Sequence, residues 1–344
     1  MKTFLLTLSA AAFAATGALA DEIRVLNWQG YGTDQDFAVE PFEKATGHKV
    51  VHEYFNSEQE MLTKLRTNPG AYDVVLINSI YTQQAVSEGL IEAVDTSKIE
   101  NFSGISEKFA TDPQLTSGGK VYGVPWVWGL TSFAVNNNSV PEVPDSLEIL
   151  WNPEYAGRVA IRDDAVEAMH FGALVTGQDI NDIKDLDAVK EKLSALMPNL
   201  RTFWSSENDW NQYMAAGELD IATYWSGSAA RSIAFGLPVT FVVPKEGAIG
   251  WLDGLSVPAT SEHKDAALQF IDWMIDPDFY TVWDAAGAPA SANSEAAAAL
   301  SDDAFNKVVL GNPDLAARVQ FMAPVADETR ETYLEIWQGL KAAQ

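Results

Sequence analysis

The chain has 344 residues, a length that predicts about two domains. Its 22 Lys and Arg residues against 48 Asp and Glu residues give a formal net charge of −26, which repels phosphate backbones and disfavours a nucleic-acid partner. The sequence has no cysteine, so disulfides, thiolate nucleophiles and cysteine zinc sites are excluded, and its four histidines leave little capacity for a metal site.

The first twenty residues have the pattern of a secretory signal peptide. Lys2 provides a short positive end, an apolar run follows at 4–13, and Ala18-Leu19-Ala20 matches an A-x-A cleavage site. This run is too short to span a membrane, and no later run approaches the roughly 20 apolar residues of a spanning helix. We therefore expect a soluble, exported protein that begins at Asp21. A buried N-terminal helix is the disfavoured alternative.

The next segment alternates strand-like and helix-like patterns. The predicted strands are 23–28, 49–54 and 74–77, and the predicted helices are about 34–46, 58–67 and 81–88. Gly47 and Gly89 follow two of these helices, and Ser57 with Glu60 forms a capping box at the start of the other. The last strand is continuously apolar, which is typical of a sheet covered on both faces. This βαβαβ order predicts a mostly parallel sheet.

A second α/β pattern follows a polar stretch near 95–120. Extended segments are predicted at 120–128 and 131–136, strands at 159–161, 221–224 and 239–243, and helices at 165–175, 186–196 and 227–235. From about Ser261 the chain is mostly helical. Because no Pro- or Ser-rich linker separates the two patterns, we expect two lobes joined by short crossings, with a ligand cleft between them.

The common catalytic and nucleotide-binding motifs are missing from the sequence: G-x-S-x-G, G-x-G-x-x-G and the P-loop. Ser261 and Lys264 have the spacing of a serine acylase motif but lack its companion motifs, which favours a helix start. His48 and His52 flank a predicted strand, where four residues span roughly 13 Å, too far to share an ion. We expect no enzymatic reaction, no cofactor and no metal site.

Two carboxylates open the predicted helix at 165–175. Asp164 and Glu167 are three residues apart and share a helix face. One interpretation is a helix cap, with Asp164 at the N-cap and Glu167 at the third position. A glycosidase acid–base pair is a weaker one, because carboxylates one turn apart do not flank a sugar bond well. The third interpretation is a clamp for a cation.

Three tryptophans lie where α/β clefts form. Trp28 ends the first strand, Trp225 follows the strand at 221–224, and Trp251 lies on the same side of an extended segment as Asp253. Aromatic faces attract ammonium groups by roughly 0.5–2 kcal/mol each, and carboxylates add roughly 1.5–3 kcal/mol per charge-assisted hydrogen bond. Core packing explains any single tryptophan, but the joint pattern favours a binding site for a small organic cation.

These residues lie in stretches that together resemble the periplasmic substrate-binding proteins of ABC importers, specifically the bacterial spermidine/putrescine-binding group. The similarity runs from about Ile23 to the C-terminus. The matching stretches are Leu26-Asn27-Trp28-x-x-Tyr31, Gly70-Ala71-Tyr72-Asp73-Val74-Val75, Trp151-Asn152-Pro153-Glu154-Tyr155-Ala156-Gly157, Asp163-Asp164-Ala165-x-Glu167, Leu196-Met197-Pro198-Asn199, Trp225-Ser226-Gly227-Ser228-Ala229, Pro244-Lys245-Glu246-Gly247 and Trp251-x-Asp253-x-Leu255-x-Val257-Pro258.

The resemblance implies a two-lobed periplasmic-binding-protein fold that closes on a polyamine. Each lobe is expected to be a mostly parallel sheet flanked by helices, with the lobes formed by 21–133 plus 256–294 and by 134–255 plus 295–344. The side chains implied to contact the ligand are the rings of Trp28, Tyr31, Trp225 and Trp251, the carboxylates of Asp164, Glu167 and Asp253, and Asn78. The expected receptor is a monomer in the periplasm that delivers a small aliphatic amine to an inner-membrane ABC permease.

Three positions depart from this family pattern. Gly30 stands where the family usually has a polar, often acidic residue, and Ile80 and Ala288 stand where it has tyrosines. The loss of one carboxylate and two rings favours a putrescine-sized diamine over a triamine bound at every nitrogen. The alternatives are a zwitterion such as γ-aminobutyrate or another small cationic solute, with Arg201 as the candidate partner of the zwitterion's carboxylate, and, least favoured, a secreted carbohydrate-active protein.

Overall fold

The structure is a computed structural model and describes residues 21–311 and 313–343. The predicted signal peptide, residues 1–20, lies outside the described residues. Within the described part of the chain, no helix has both the length and the apolar character needed to cross a lipid bilayer.

Strands and helices alternate through the first two thirds of the chain, and helices dominate the last third. The strands are β1 (Glu22–Trp28), β2 (Lys49–Phe55), β3 (Val74–Asn78), β4 (Thr116–Ser117), β5 (Lys120–Val121), β6 (Val124–Asn136), β7 (Val159–Arg162), β8 (Leu200–Trp204), β9 (Ile221–Trp225), β10 (Val239–Val242), β11 (Ala248–Ser256), β12 (Ala290–Ser291) and β13 (Val319–Phe321). The helices are α1 (Asp36–Thr46), α2 (Glu58–Thr67), α3 (Ser79–Ser87), α4 (Glu107–Ala110), α5 (Ala165–Val175), α6 (Leu186–Leu196), α7 (Glu207–Ala215), α8 (Ser226–Ala234), α9 (Lys264–Met274), α10 (Pro277–Ala285), α11 (Ser294–Ala299), α12 (Phe305–Val309), α13 (Pro313–Ala316) and α14 (Asp327–Ala342).

Most of the strands join one curled sheet with the order β2-β1-β3-β11-β6-β9-β7-β8. β1 is parallel to β2 and β3, and β7 is parallel to β8 and β9. β11 and β6 lie between these two parallel groups and run antiparallel to each other and to their neighbours β3 and β9. The α/β class and the parallel strands of each half are confirmed. The antiparallel pair that joins the halves is a feature that the sequence pattern does not predict.

The long strand β6 connects the two halves of the sheet. Two extended segments divided near Gly129 are predicted, but the structure has a single 13-residue strand. Gly129 lies within this strand without interrupting it. The absence of a side chain at Gly129 leaves room for the Trp251 ring, because a Cβ atom there would lie 2.5 Å from that ring. The first part of β6 pairs with β11 and its last part pairs with β9, so the sheet continues without a break.

The apolar core falls into three clusters: two of them contain the opposite ends of β6, and a third contains Leu130 and Ala134 of the same strand. Val124 and Val127 belong to a cluster with β1, β3 and the helices of the N-terminal region. Phe133 and Val135 belong to a second cluster with α5, α6 and Trp337 of the C-terminal helix. This division supports two lobes, and the residue boundaries given above stay a prediction.

Local sequence signals at two helix starts agree with the structure. The Ser57 hydroxyl accepts a hydrogen bond from the Glu60 backbone N–H at 3.2 Å, which caps α2. Ser261 donates to Asp73 at 2.7 Å, and Lys264 is the first residue of α9, so this pair marks a helix start. Among the described residues, no group of three or more His, Asp or Glu side chains is arranged to hold a metal ion.

Candidate ligand-binding cleft

The eight residues that the resemblance assigns to the ligand line one cavity of about 520 Å³. They are Trp28, Tyr31, Asn78, Asp164, Glu167, Trp225, Trp251 and Asp253. Arg201, the candidate partner of a ligand carboxylate, does not line this cavity. It lies on β8, and its guanidinium forms an exposed ion pair with Glu218. The structure therefore brings the predicted rings and carboxylates together and places Arg201 outside them.

The cavity forms where parallel strands of both halves end. Trp28 and Asn78 are the last residues of β1 and β3, Trp225 is the last residue of β9, and Asp164 caps the helix that follows β7. The carboxyl ends of parallel strands are the usual ligand site of α/β sheets, because the loops and helix N-termini that follow them leave a crevice. The antiparallel strand β11 crosses between the halves and adds alternate residues from one of its faces.

Asp253 lies at the centre of a buried hydrogen-bond group at one end of the cavity. Its side chain is 3% exposed, and it accepts hydrogen bonds from the Tyr31 hydroxyl and from Asn78 Nδ2, the latter at 2.9 Å. Burial raises the pKa of Asp253 to about 6, and the two hydrogen bonds oppose this rise. Because burial disfavours the ionised form of Asp253, a cation that binds beside this carboxylate stabilises it.

Glu58 is a second carboxylate at this end, and the sequence analysis does not identify it. Its Oε1 accepts a hydrogen bond from the Asn78 backbone N–H at 3.2 Å, while its Oε2 is inaccessible to solvent and has no hydrogen-bond partner. Burial, followed by the negative charge of Asp253, raises the pKa of Glu58 well above its usual range. A cation bound here would give the buried Glu58 Oε2 a partner and would offset the repulsion between the two carboxylates.

Asp164 and Glu167 form the acidic group at the other end of the cavity. Asp164 is the N-cap of α5, and its Oδ1 accepts a hydrogen bond from the Glu167 N–H at 2.9 Å. Glu167 is 8% exposed, and burial raises its pKa to about 7. The helix-cap interpretation is therefore correct for Asp164, and both side chains nevertheless line the cavity.

Arg162, the last residue of β7, reaches both of these carboxylates. Its Nη1 lies 3.2 Å from Glu167 Oε2 and 3.7 Å from Asp164 Oδ2. Its guanidinium carbon lies 4.7 Å from the centroid of the Trp225 ring, which is within the range of a cation–π contact. The sequence analysis does not assign Arg162 to the site.

The rings that line the cavity are held by other aromatic side chains. The centroids of Trp28 and Phe55 are 4.4 Å apart, and Trp225 meets Trp204 edge to face at 5.0 Å. Trp251 is 9% exposed, and it packs across β6 at Gly129. Because these contacts fix the ring positions before a ligand binds, little conformational entropy remains to be lost on binding.

Two of the three departures from the family pattern line the cavity. Gly30 and Ile80 line it, and Ala288 is fully buried. Gly30 has a φ of 88°, in the left-handed region that favours glycine, in the turn between Trp28 and Tyr31.

The cavity lining has an excess of negative charge. Glu207 and Arg231 pair at 2.5 Å and neutralise each other, and Arg330 pairs with Asp327 at 2.8 Å. Among the described residues, the other ionisable groups of the lining are four carboxyl groups and one guanidinium: Glu58, Asp164, Glu167, Asp253 and Arg162. A small cation with an aliphatic body complements this lining of rings and carboxylates better than an anion or an uncharged sugar does.

Comparison with known proteins assigns the chain to a family. The family model described as "Bacterial extracellular solute-binding protein" matches residues 38–309. This chain belongs to that family. The solute-binding protein is 36% identical over 281 residues to the spermidine/putrescine-binding periplasmic protein of Escherichia coli K12, which covers 80% of this chain and 79% of the relative. It is 33% identical over 337 residues to the corresponding protein of Salmonella typhimurium, with 96% and 94% covered.

The fold of this solute-binding protein also has solved counterparts. It is similar to a putative spermidine/putrescine ABC transporter protein from Listeria monocytogenes, with a TM-score of 0.82, 24% identity, and coverage of 94% of this chain and 99% of the other. The resemblance given by the sequence motifs is therefore confirmed at the level of family and fold. Both the family and these relatives are described by solute binding and not by catalysis.

Proposed function

We propose that this solute-binding protein is a periplasmic receptor for a small aliphatic amine of the putrescine and spermidine class, which it delivers to an inner-membrane ABC permease. The names of the relatives at 33–36% identity support this class of ligand. The observation that carries the proposal is the lining of a single cavity, which contains six aromatic side chains and five carboxylates, of which only Glu207 is paired with a neighbouring arginine of the lining other than Arg162.

The interaction energies of this lining are sufficient for a physiological receptor. Each ring contributes roughly 0.5–2 kcal/mol toward a desolvated ammonium, and each charge-assisted hydrogen bond contributes roughly 1.5–3 kcal/mol. Two or three of each reach about −8 kcal/mol after the costs of association, which corresponds to a micromolar dissociation constant. Asp253 and Glu58 hold one ammonium in this proposal, Asp164 and Glu167 face the other end, and the rings enclose the methylene chain.

Closure of two lobes around the amine follows from where the contacts lie. Trp28 and Asn78 come from the strands at one end of the sheet, and Trp225 comes from the strands at the other end. Only a closed form lets all of them touch one small ligand, so the ligand favours that form. We place the hinge at the chain crossings near Ser132–Asn136 and Leu255–Pro258.

The compartment follows from the family and from the N-terminal pattern. The relatives are periplasmic proteins, and residues 1–20 have the pattern of a secretory signal peptide. We propose that the mature receptor begins at Asp21 and acts as a monomer, without catalysing a reaction.

Calorimetric titration of the mature protein tests this proposal. The protein is first unfolded, dialysed and refolded to remove any copurified ligand, which mass spectrometry of the extract then identifies. Saturable one-to-one binding of putrescine or spermidine that weakens with added salt is expected, because charge pairs carry the affinity. Tighter binding of γ-aminobutyrate or maltose than of either amine would contradict the proposal.

A further inference from the structure

Arg162 occupies the place that an ammonium group needs at one end of the cleft. Its guanidinium contacts Glu167 at 3.2 Å, Asp164 at 3.7 Å and the ring of Trp225 at 4.7 Å. These three residues are the ones that the proposed function assigns to the ligand at this end. An ammonium that enters this end must displace the guanidinium or share its two carboxylates.

Asp253 and Glu58 form no ion pair with a basic side chain of the described residues, and the charge of Arg162 acts on Glu58 only at longer range, as the weakest influence on its pKa. The two hydrogen-bond donors to the Asp253 carboxylate are the uncharged groups of Tyr31 and Asn78. Glu58 Oε2 is buried without a partner. The two pairs of carboxylates therefore differ: Asp164 and Glu167 contact a guanidinium directly, whereas Asp253 and Glu58 contact none.

We infer that Arg162 is a specificity-determining residue that stands in for one ammonium group and shifts the preference of the cleft toward amines with few positive charges. This inference rests on the proposed function. The first ammonium of a ligand enters the Glu58–Asp253 end, where it contacts carboxylates and uncharged donors and where Arg162 acts only at longer range. Each further ammonium meets the positive charge of Arg162, and this like-charge contact offsets part of the attraction to Asp164 and Glu167.

The test measures how Arg162 is coupled to the second ammonium of a ligand. Butylamine and putrescine have the same four-carbon chain and differ by one ammonium, so the ratio of their affinities isolates that group. Calorimetry on the wild type and on Arg162→Gln gives this ratio in each protein. We expect the preference for putrescine over butylamine to increase at least tenfold in Arg162→Gln, with a larger gain for spermidine.

Arg201→Gln is the matched control. It removes the same charge from the adjacent strand β8, outside the cavity, and should leave the ratio within threefold of the wild type. An unchanged or smaller ratio in Arg162→Gln, in a wild type that binds putrescine, overturns this inference and leaves the proposed function intact. A wild type that binds neither amine overturns both.

A measurement on the wild type covers the case in which Arg162→Gln does not fold. The arginine Nε–Hε NMR signal that is missing in Arg162→Lys belongs to Arg162. We expect this signal to shift when putrescine is added and to shift much less when butylamine is added at the same saturation. Equal shifts with both ligands, or no shift with putrescine, would overturn the inference.

Discussion

Asp253→Asn is expected to change stability and ligand affinity in opposite directions. Asp253 is 3% exposed, and burial raises its pKa from 3.8 to about 6. This rise corresponds to about 3 kcal/mol of destabilisation when the carboxylate is ionised. Below about pH 4 the carboxyl is protonated in both the folded and the unfolded states, so the destabilisation disappears; it grows as the pH rises to about 6 and is constant above that.

Asparagine removes the buried charge and keeps an oxygen that accepts the hydrogen bond from Asn78. The ligand-free variant should therefore have a higher free energy of unfolding than the wild type at pH 8, by up to about 3 kcal/mol. The same change removes a charge-assisted bond to the ammonium, worth roughly 1.5–3 kcal/mol, so putrescine should bind roughly 10- to 150-fold more weakly.

Urea unfolding of the ligand-free proteins at pH 8 and at pH 4.5 measures the first effect, and calorimetry at pH 8 measures the second. The stability gain should fall to about 1 kcal/mol at pH 4.5, because the folded wild type then keeps its carboxyl protonated and only the ionisation of the unfolded chain, with a pKa near 3.8, still favours unfolding. A variant that is less stable than the wild type at pH 8, or that binds putrescine with unchanged affinity, would refute the reasoning about this residue.

Three further predictions concern the same cleft. Glu58→Gln should weaken putrescine binding at least tenfold, whereas Glu60→Gln, on the same helix but outside the cavity lining, should change it less than threefold. Calorimetry that gives equal effects would show that Glu58 does not act on the ligand. Gly129→Ala should displace the Trp251 ring, because the new Cβ would lie 2.5 Å from it, and should thereby weaken putrescine binding. Tryptophan fluorescence reports the ring displacement and calorimetry reports the affinity; no change in either would count against this prediction. Affinity for putrescine should fall from pH 8 to pH 5, because burial raises the pKa of Glu167 to about 7 and its protonated form no longer attracts an ammonium; a flat pH profile would contradict this.

The elements with strong local signals are the ones that sequence patterns predict well. The first three strands, with the helices between and after them, lie within two residues of their predicted positions, because apolar runs and caps such as Ser57 and Gly47 mark them. The pattern does not predict α7, where only Trp210 and Met214 are buried in an otherwise polar sequence. Nor does it predict β8, an edge strand with mixed burial, because its pairing with β7 is a long-range contact.

Some residues of the candidate site can likewise be predicted from the sequence, and others are missed or misplaced. The rule that ligands meet the carboxyl ends of parallel strands finds Trp28 and Trp225 from the sequence. The same rule applied to charged residues would have found Arg162, at the end of β7, and Glu58, at the start of the helix after β2. Arg201 lies at the opposite, amino end of β8, which explains why it pairs with a surface carboxylate instead of lining the cavity.

The charge difference between the two ends is visible only in three dimensions. In the sequence, Arg162 is a single basic residue before two aspartates, and nothing in the pattern shows whether it faces the solvent or its acidic neighbours. The structure places its guanidinium against Glu167 and Trp225, because α5 begins directly after β7 and turns its first residues back toward the strand end. The ion pair between Arg162 and Glu167 inside the cleft therefore depends on this packing and cannot be predicted from the order of charges in the sequence.

A crystal structure of the mature protein with putrescine tests the central claim most directly. We expect one ammonium nitrogen within hydrogen-bonding distance of the Asp253 carboxylate and the methylene chain enclosed by the rings of Trp28, Trp225 and Trp251. A putrescine molecule bound outside the cavity that these residues line, or one that leaves Asp253 without a contact, would contradict it.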